Sequence, residues 1–134
     1  METLTAAKTV FIVEDSLPIR ARLVEMLGDI KDVNVVGEAG TPAEAITGIL
    51  RTLPDYVILD FQLDGGTGIE VLRAVRAQVR EIVFIVLTNH PQLPFRHTCM
   101  EAGADAFFDK SFEISKVRDI IAGIRPACAE QTVP

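Results

Sequence analysis

The chain has 134 residues, a formal net charge of −6, 49% hydrophobic and 24% charged residues, which fits one globular domain with its own core. Its basic residues are scattered, which argues against direct nucleic-acid binding, because neutralising phosphates needs clustered Lys and Arg. No signal-peptide pattern opens the sequence and no apolar run approaches the ~18 residues of a membrane span, so a cytoplasmic protein without a membrane segment is expected.

Short apolar runs alternate with segments of helical spacing. The first strand is expected at 10–13 and stops at Glu14 and Asp15. Ser16 can cap a helix in which Ile19, Leu23, Met26, Leu27 and Ile30 face inward, with Arg20, Arg22 and Glu25 on the other side and Pro18 one place past N1. A second strand at 33–36 leads to a helix opened by Thr41 as N-cap, Pro42 at N1 and Glu44 closing a capping box, followed by Ile46, Ile49 and Leu50. The third strand, 56–59, ends at Asp60. The GGTG run at 65–68 is no phosphate cradle, since no GK[ST] follows, and it reads as a flexible loop into a helix over 67–78 with Ile69, Leu72, Val75 and Val79 inward. A fourth strand at 82–87 ends at Thr88 and Asn89. The helix over 93–102 is weakened at its start by Pro91 and Pro94. A fifth strand at 106–108 runs into Asp109 and Lys110, and a last helix over 114–124 buries Ile114, Val117, Ile121 and Ile124. Near-continuous apolar strands suit a parallel sheet covered on both faces, and five strands alternating with five helices imply an α/β, doubly wound architecture with right-handed crossovers.

In such a sheet, ligands sit beyond the carboxyl ends of the strands. The polar residues fall there: Glu14 and Asp15, Asp60, Thr88 and Asn89, Asp109 and Lys110. Glu14, Asp15 and Asp60 meeting at one rim would perturb one another's ionisation unless a cation joined them, and their hard oxygens suit Mg²⁺. Lys110 adds a fixed positive charge and Thr88 a hydroxyl donor, which together suit an oxyanion such as a phosphoryl group. Taken singly, each has a plainer reading: a solvated turn for Glu14–Asp15, a turn cap for Asp60, a strand end for Thr88, a surface charge for Lys110. Their convergence favours the phosphoryl reading. His90 and His97 have no acidic or cysteine companion and read as solvated; Cys99 and Cys128, without paired or metal-binding spacing, read as free thiols.

These motifs give the chain a resemblance to the receiver domains of two-component response regulators, the CheY-like fold. The resemblance runs from Lys8 to about Ile124 and rests on the acidic pair, the aspartate in YVILDFQLDGGTGIEVL, the threonine of LTN, and the lysine of GADAFFDKS. It implies strand order 2-1-3-4-5. It implies that Asp60 accepts a phosphoryl group from a histidine kinase or phosphotransfer protein, that Asp15, Asp60 and the backbone carbonyl of Gln62 bind Mg²⁺ directly, and that Glu14 acts through water. Lys110 would pair with phosphoryl oxygens, Thr88 would swing inward, and Phe107 would follow it as the switch aromatic. Activity beyond Mg²⁺-dependent self-phosphorylation and autodephosphorylation is not expected. An interaction face would change for an unknown downstream protein, and the face of the fourth helix, fifth strand and fifth helix could support a homodimer.

Departures from the family pattern stand out. Ser111 replaces the proline that commonly follows the lysine across a cis bond, which leaves the isomer open. Asn89 replaces a small residue and, with Gln62, is expected to modulate access to Asp60. Asp64 replaces a proline. Residues 1–7 read as an extension, 8–124 as the receiver and 125–134 as a tail with no output domain, hence a stand-alone receiver; the KS pair and GTG turn nonetheless resemble receivers that carry DNA-binding domains. A passive binding module of the same fold is one rival. A haloacid dehalogenase-type phosphatase is the other, but it needs a second aspartate two residues after the nucleophile, and neither Asp15-Ser16-Leu17 nor Asp60-Phe61-Gln62 has one.

Overall fold

Alternate residues of each central strand face opposite helical layers. Phe11, Val13, Val57, Leu59, Phe84, Val86 and Phe107 lie in one buried cluster, whereas Val10, Ile12, Ile58, Ile85 and Leu87 lie in the other. The period of two in the strands thus builds both halves of the core. The computed structural model describes residues 7–89, 93–111 and 113–123. The elements run β1 (Lys8–Val13), α1 (Leu17–Gly28), β2 (Val33–Ala39), α2 (Pro42–Thr52), β3 (Tyr56–Asp60), β4 (Gln62–Leu63), β5 (Gly66–Thr67), α3 (Gly68–Arg76), β6 (Val83–Thr88), α4 (Leu93–Glu101), β7 (Ala106–Asp109) and α5 (Ile114–Ala122).

The main sheet has five strands in the order β2-β1-β3-β6-β7, and every pairing in it is parallel. Counting those strands alone, this is the expected 2-1-3-4-5 order of a flavodoxin-like α/β fold. One layer takes Ala45 and Ile49 of α2, Val71, Leu72 and Val75 of α3 and Cys99 of α4; the other takes Leu23 and Leu27 of α1 and Val117 and Ile121 of α5. Each large apolar side chain so buried contributes about 1.5–3 kcal/mol. The strand β2 departs from the continuous-run expectation: its outer edge is open, and Asn34, Val36 and Glu38 are exposed in alternation.

The helix starts follow their caps. Ser16 Oγ accepts from the N–H of Ile19 at 3.4 Å with Pro18 in the first turn, and Thr41 Oγ1 accepts from that of Glu44 at 3.3 Å. The carboxylate half of a capping box is seen at α3, where Glu70 Oε2 accepts from the N–H of Thr67 at 3.3 Å. Thr67 is therefore the cap of α3 and not its first residue. The loop expected at 65–68 is ordered: β4 and β5 form a short antiparallel ladder, Gln62 opposite Thr67 and Leu63 opposite Gly66. Asp64-Gly65 makes the turn, with Gly65 at φ +85°, a conformation that favours glycine.

At the amino ends of the strands one guanidinium gathers several loops. Arg76 donates to the carbonyls of Gly103 (3.0 and 2.8 Å), Arg80 (2.9 Å) and Ile82 (2.6 Å), pairs with Asp105 at 2.7 Å, and lies 4.9 Å from the Phe84 ring centroid. Asp105 in turn accepts from the N–H of Phe84 at 2.9 Å. These bonds satisfy loop carbonyls that have no ladder partner.

The expected extension 1–7 (apart from Ala7) and tail 125–134, together with His90, Pro91, Ile124 and Cys128, lie outside the described residues.

Candidate functional site

Four strand ends deliver the site. Glu14 follows β1, its N–H bonded to the Ala39 carbonyl at 2.9 Å; Asp60 ends β3, Thr88 ends β6, and Lys110 follows β7, its N–H bonded to the Thr88 carbonyl at 2.8 Å. Glu14, Asp60, Thr88 and Lys110 are the buried polar residues of the described chain. A buried charge is tolerated only with partners, and these supply one another: Lys110 Nζ lies 2.8 Å from Glu14 Oε1 and 3.1 Å from Asp60 Oδ2. The other oxygens are held by backbone. Glu14 Oε2 accepts from the N–H of Ser16 at 3.1 Å, and Asp60 Oδ1 from that of Gln62 at 3.3 Å.

Burial pushes both carboxyls above their ordinary range, against the opposing pull of Lys110. For Lys110, burial favours the neutral amine, but Glu14 and Asp60 outweigh it and hold the ammonium above its usual value. Two carboxylates share one ammonium, so the cluster is short of positive charge. Asp15 is exposed, and one carboxylate oxygen from each of Glu14, Asp15 and Asp60 lies within 4.8 Å of the others. Three hard oxygens at that spacing fit a Mg²⁺ ion that keeps part of its water shell.

Around this centre, Gln62 and Asn89 are exposed at the rim, while Thr88 and Phe107 are buried at 1% and 3% exposure. Asn89 lines a cleft of about 390 Å³ with Ile19, Arg22, Lys110, Ser111 and Ile114. Phe61, next to Asp60, meets Phe95 of α4 at 4.9 Å between ring centroids, and the Arg96 guanidinium lies 5.9 Å from the Phe107 ring centroid. The Lys110–Ser111 bond is trans, as are all peptide bonds among the described residues.

Two contributors escaped the sequence reading. Arg20, expected to face outward on its helix, turns back and donates through Nε and Nη2 to the Glu14 carbonyl at 3.0 and 2.7 Å. Glu113 holds the turn that carries Lys110: Oε1 accepts from the Asp109 N–H at 2.8 Å and Oε2 pairs with Lys116 at 2.9 Å. The signal for Glu113 was its place four residues after Asp109. His97 is exposed as expected but does have an acidic companion, since Nε2 lies 3.1 Å from Glu101 one helical turn on. Cys99 is a free, buried thiol whose pKa burial pushes up to about 11.

A parallel α/β sheet with an acidic cluster and a buried lysine at its carboxyl rim defines a class of signalling fold. The family model for the response regulator receiver domain matches residues 10–122, and the chain belongs to that family: it is the receiver domain of a two-component response regulator. It is 33% identical over 118 residues to the DNA-binding transcriptional activator DevR/DosR of Mycobacterium tuberculosis, covering 85% of this chain and 54% of that protein. It is 30% identical over 120 residues to the response regulator UvrY of Escherichia coli K12, covering 87% and 55%. The chain therefore spans about half the length of these curated relatives. Among solved structures, the receiver domain of a putative NarL from Mycobacterium tuberculosis superposes with TM-score 0.79 at 28% identity, covering 89% of this chain and 99% of that one. The response regulator domain of Thermotoga maritima CheB shares the fold, with TM-score 0.80 at 20% identity over 90% and 99%. No helix among the described residues is long and apolar enough to cross a membrane.

Proposed function

We propose that Asp60 is a phosphoacceptor, taking a phosphoryl group from a histidine kinase or phosphotransfer protein. The observation that carries this reading is the shared ammonium: Lys110 contacts both Asp60 and Glu14 while an oxygen of exposed Asp15 lies within 4.8 Å of theirs. Mg²⁺ bound by Asp15, Asp60, the Gln62 carbonyl and, through water, Glu14 would offset charge on the transferring phosphoryl oxygens. A carboxylate oxygen of Asp60 attacks phosphorus in line, forming an O–P bond as the donor's bond to phosphorus breaks, P–N in a phosphohistidine or P–O in acetyl phosphate. Lys110 stays beside Asp60 and exchanges its carboxylate contact for a phosphoryl oxygen. Thr88 donates its hydroxyl to the same group.

The output follows from what surrounds Asp60. Thr88 and buried Phe107 form the switch, and the Phe61–Phe95 contact ties the residue after the nucleophile to α4. A new local charge thus shifts packing toward α4, β7 and α5, the face a downstream protein or a second copy would read. Exposed Asn89 and Gln62 limit the approach of water to the acyl phosphate.

Acetyl phosphate with Mg²⁺ tests the reading. Intact-mass spectrometry is expected to show one added phosphoryl group, absent without Mg²⁺ and absent in Asp60→Asn. Sustained hydrolysis of a substrate would instead mark a phosphatase. No modification with either acetyl phosphate or a beryllofluoride mimic would mark a passive binding module.

A further inference from the structure

We infer that Arg20 is a positioning residue for the metal site, fixing Asp15 through the backbone that precedes it. The inference rests on the phosphoacceptor reading and concerns how its cation ligands are held. Asp15 is exposed, and its carboxylate makes no hydrogen bond or ion pair among the described residues. Its direction is therefore set by its own backbone, and the peptide leading into it begins at the Glu14 carbonyl. That carbonyl lies one residue beyond β1. Nε and Nη2 of Arg20 both close on it, at 3.0 and 2.7 Å, a forked grip that a lysine ammonium cannot reproduce. The guanidinium is itself confined. Its side chain is only 19% exposed, Glu38 Oε1 is 3.8 Å from Nε, and a Cβ added to Gly40 would stand 2.9 Å from Nη2 and 3.5 Å from Asp15 Cα. Gly40 thus leaves the room in which the guanidinium and the Asp15 backbone lie side by side.

Charge and positioning predict opposite signs here. As a mere positive charge near three carboxylates, Arg20 would weaken cation binding, and its removal would tighten it. As a positioning residue it strengthens binding, and its removal loosens Asp15. Isothermal titration of the full chain with MgCl₂ alone decides between them. Arg20→Met is expected to weaken Mg²⁺ affinity roughly tenfold, the usual effect of losing a group that orients a metal ligand. Arg20→Lys should weaken it by a smaller factor, and Gly40→Ala, which crowds Nη2 while keeping Arg20, should move it in the same direction. Acetyl-phosphate labelling of Arg20→Met should recover toward wild type at saturating Mg²⁺, which a general loss of structure would not permit. Unchanged or tightened Mg²⁺ binding in Arg20→Met and Gly40→Ala, with metal-free melting curves like wild type, overturns the inference and leaves the phosphoacceptor reading standing. A wild-type chain that binds no Mg²⁺ overturns both.

Discussion

Glu14 and Lys110 form a buried ion pair at the rim of the sheet: Nζ and Oε1 are 2.8 Å apart, and the side chains are 6% and 2% exposed for lysine and glutamate. Asp60 joins from the other side at 3.1 Å. The same ammonium that would meet a phosphoryl group therefore keeps two carboxylates folded.

Removing it should be costly. Lys110→Met leaves Glu14 and Asp60 buried without a cation and is expected to lower unfolding free energy by about 3 kcal/mol. Urea denaturation without divalent ions measures this. Mg²⁺ should restore more stability to the variant than to wild type, because carboxylates that have lost the competing ammonium hold the cation more tightly, and it binds only the folded chain. A variant as stable as wild type in metal-free urea would mean that the pair contributes nothing.

The two acidic neighbours should separate in a way their adjacency hides. Asp15→Ala is expected to abolish Mg²⁺-dependent labelling of Asp60 and leave the melting temperature near wild type, since Asp15 is exposed. Glu14→Ala is expected only to weaken labelling but to lower stability, because it removes a direct partner of Lys110. Equal loss of labelling from both would show that the ligand roles are assigned wrongly.

Glu113 gives a pH dependence away from the acidic cluster. Burial raises its carboxyl, but the Asp109 N–H and Lys116 outweigh that and hold it below its ordinary value. A carboxyl lowered in the folded state adds stability that is present above its unfolded pKa and lost as pH falls through the folded one. Glu113→Gln should therefore melt roughly 2 °C below wild type at pH 7. The gap should close as pH falls below about 4.5. Thermal melts from pH 7 to 3 test this, and a gap constant to pH 3 would rule out the ionised carboxylate as its source.

Asn89 stands exposed at the mouth of the cleft beside Lys110. Trimming it should admit water more freely. Asn89→Ala is expected to lose its phosphoryl group faster, on the order of threefold, a change of less than 1 kcal/mol in barrier. Phosphorylated samples followed by mass spectrometry after Mg²⁺ addition give the two rates, and equal rates would exclude a role for the side chain.

The strands and their polar ends were legible because parallel strands are apolar on both faces, so a charged residue at the end of such a run announces the rim. Asp60 after YVIL and Lys110 after AFFD are of this kind. Caps at Ser16 and Thr41 were equally plain. The β4–β5 ladder was hidden by its length, although Asp64-Gly65 carried the turn chemistry. Glu14 and Asp15 look alike in sequence; which is buried depends on the twist of the chain leaving β1. Helical spacing alone points Arg20 outward, because it ignores how far a long side chain can fold back across its own first turn. The His97–Glu101 pair follows the helical spacing of four, which a search for ligand clusters around the two histidines does not register.

Arg76 fastens the loops at the amino ends of the strands, far in the fold from the rim where Asp15, Leu17 and Asn89 lie exposed. The side chain that ties the loops together thus sits at the opposite end of the sheet from the acidic rim. A library that varied the exposed positions 17 and 89 while keeping Arg76 and Asp15 would sample new rims from a population that still folds, and one that varied position 76 would lose members before any rim was tested.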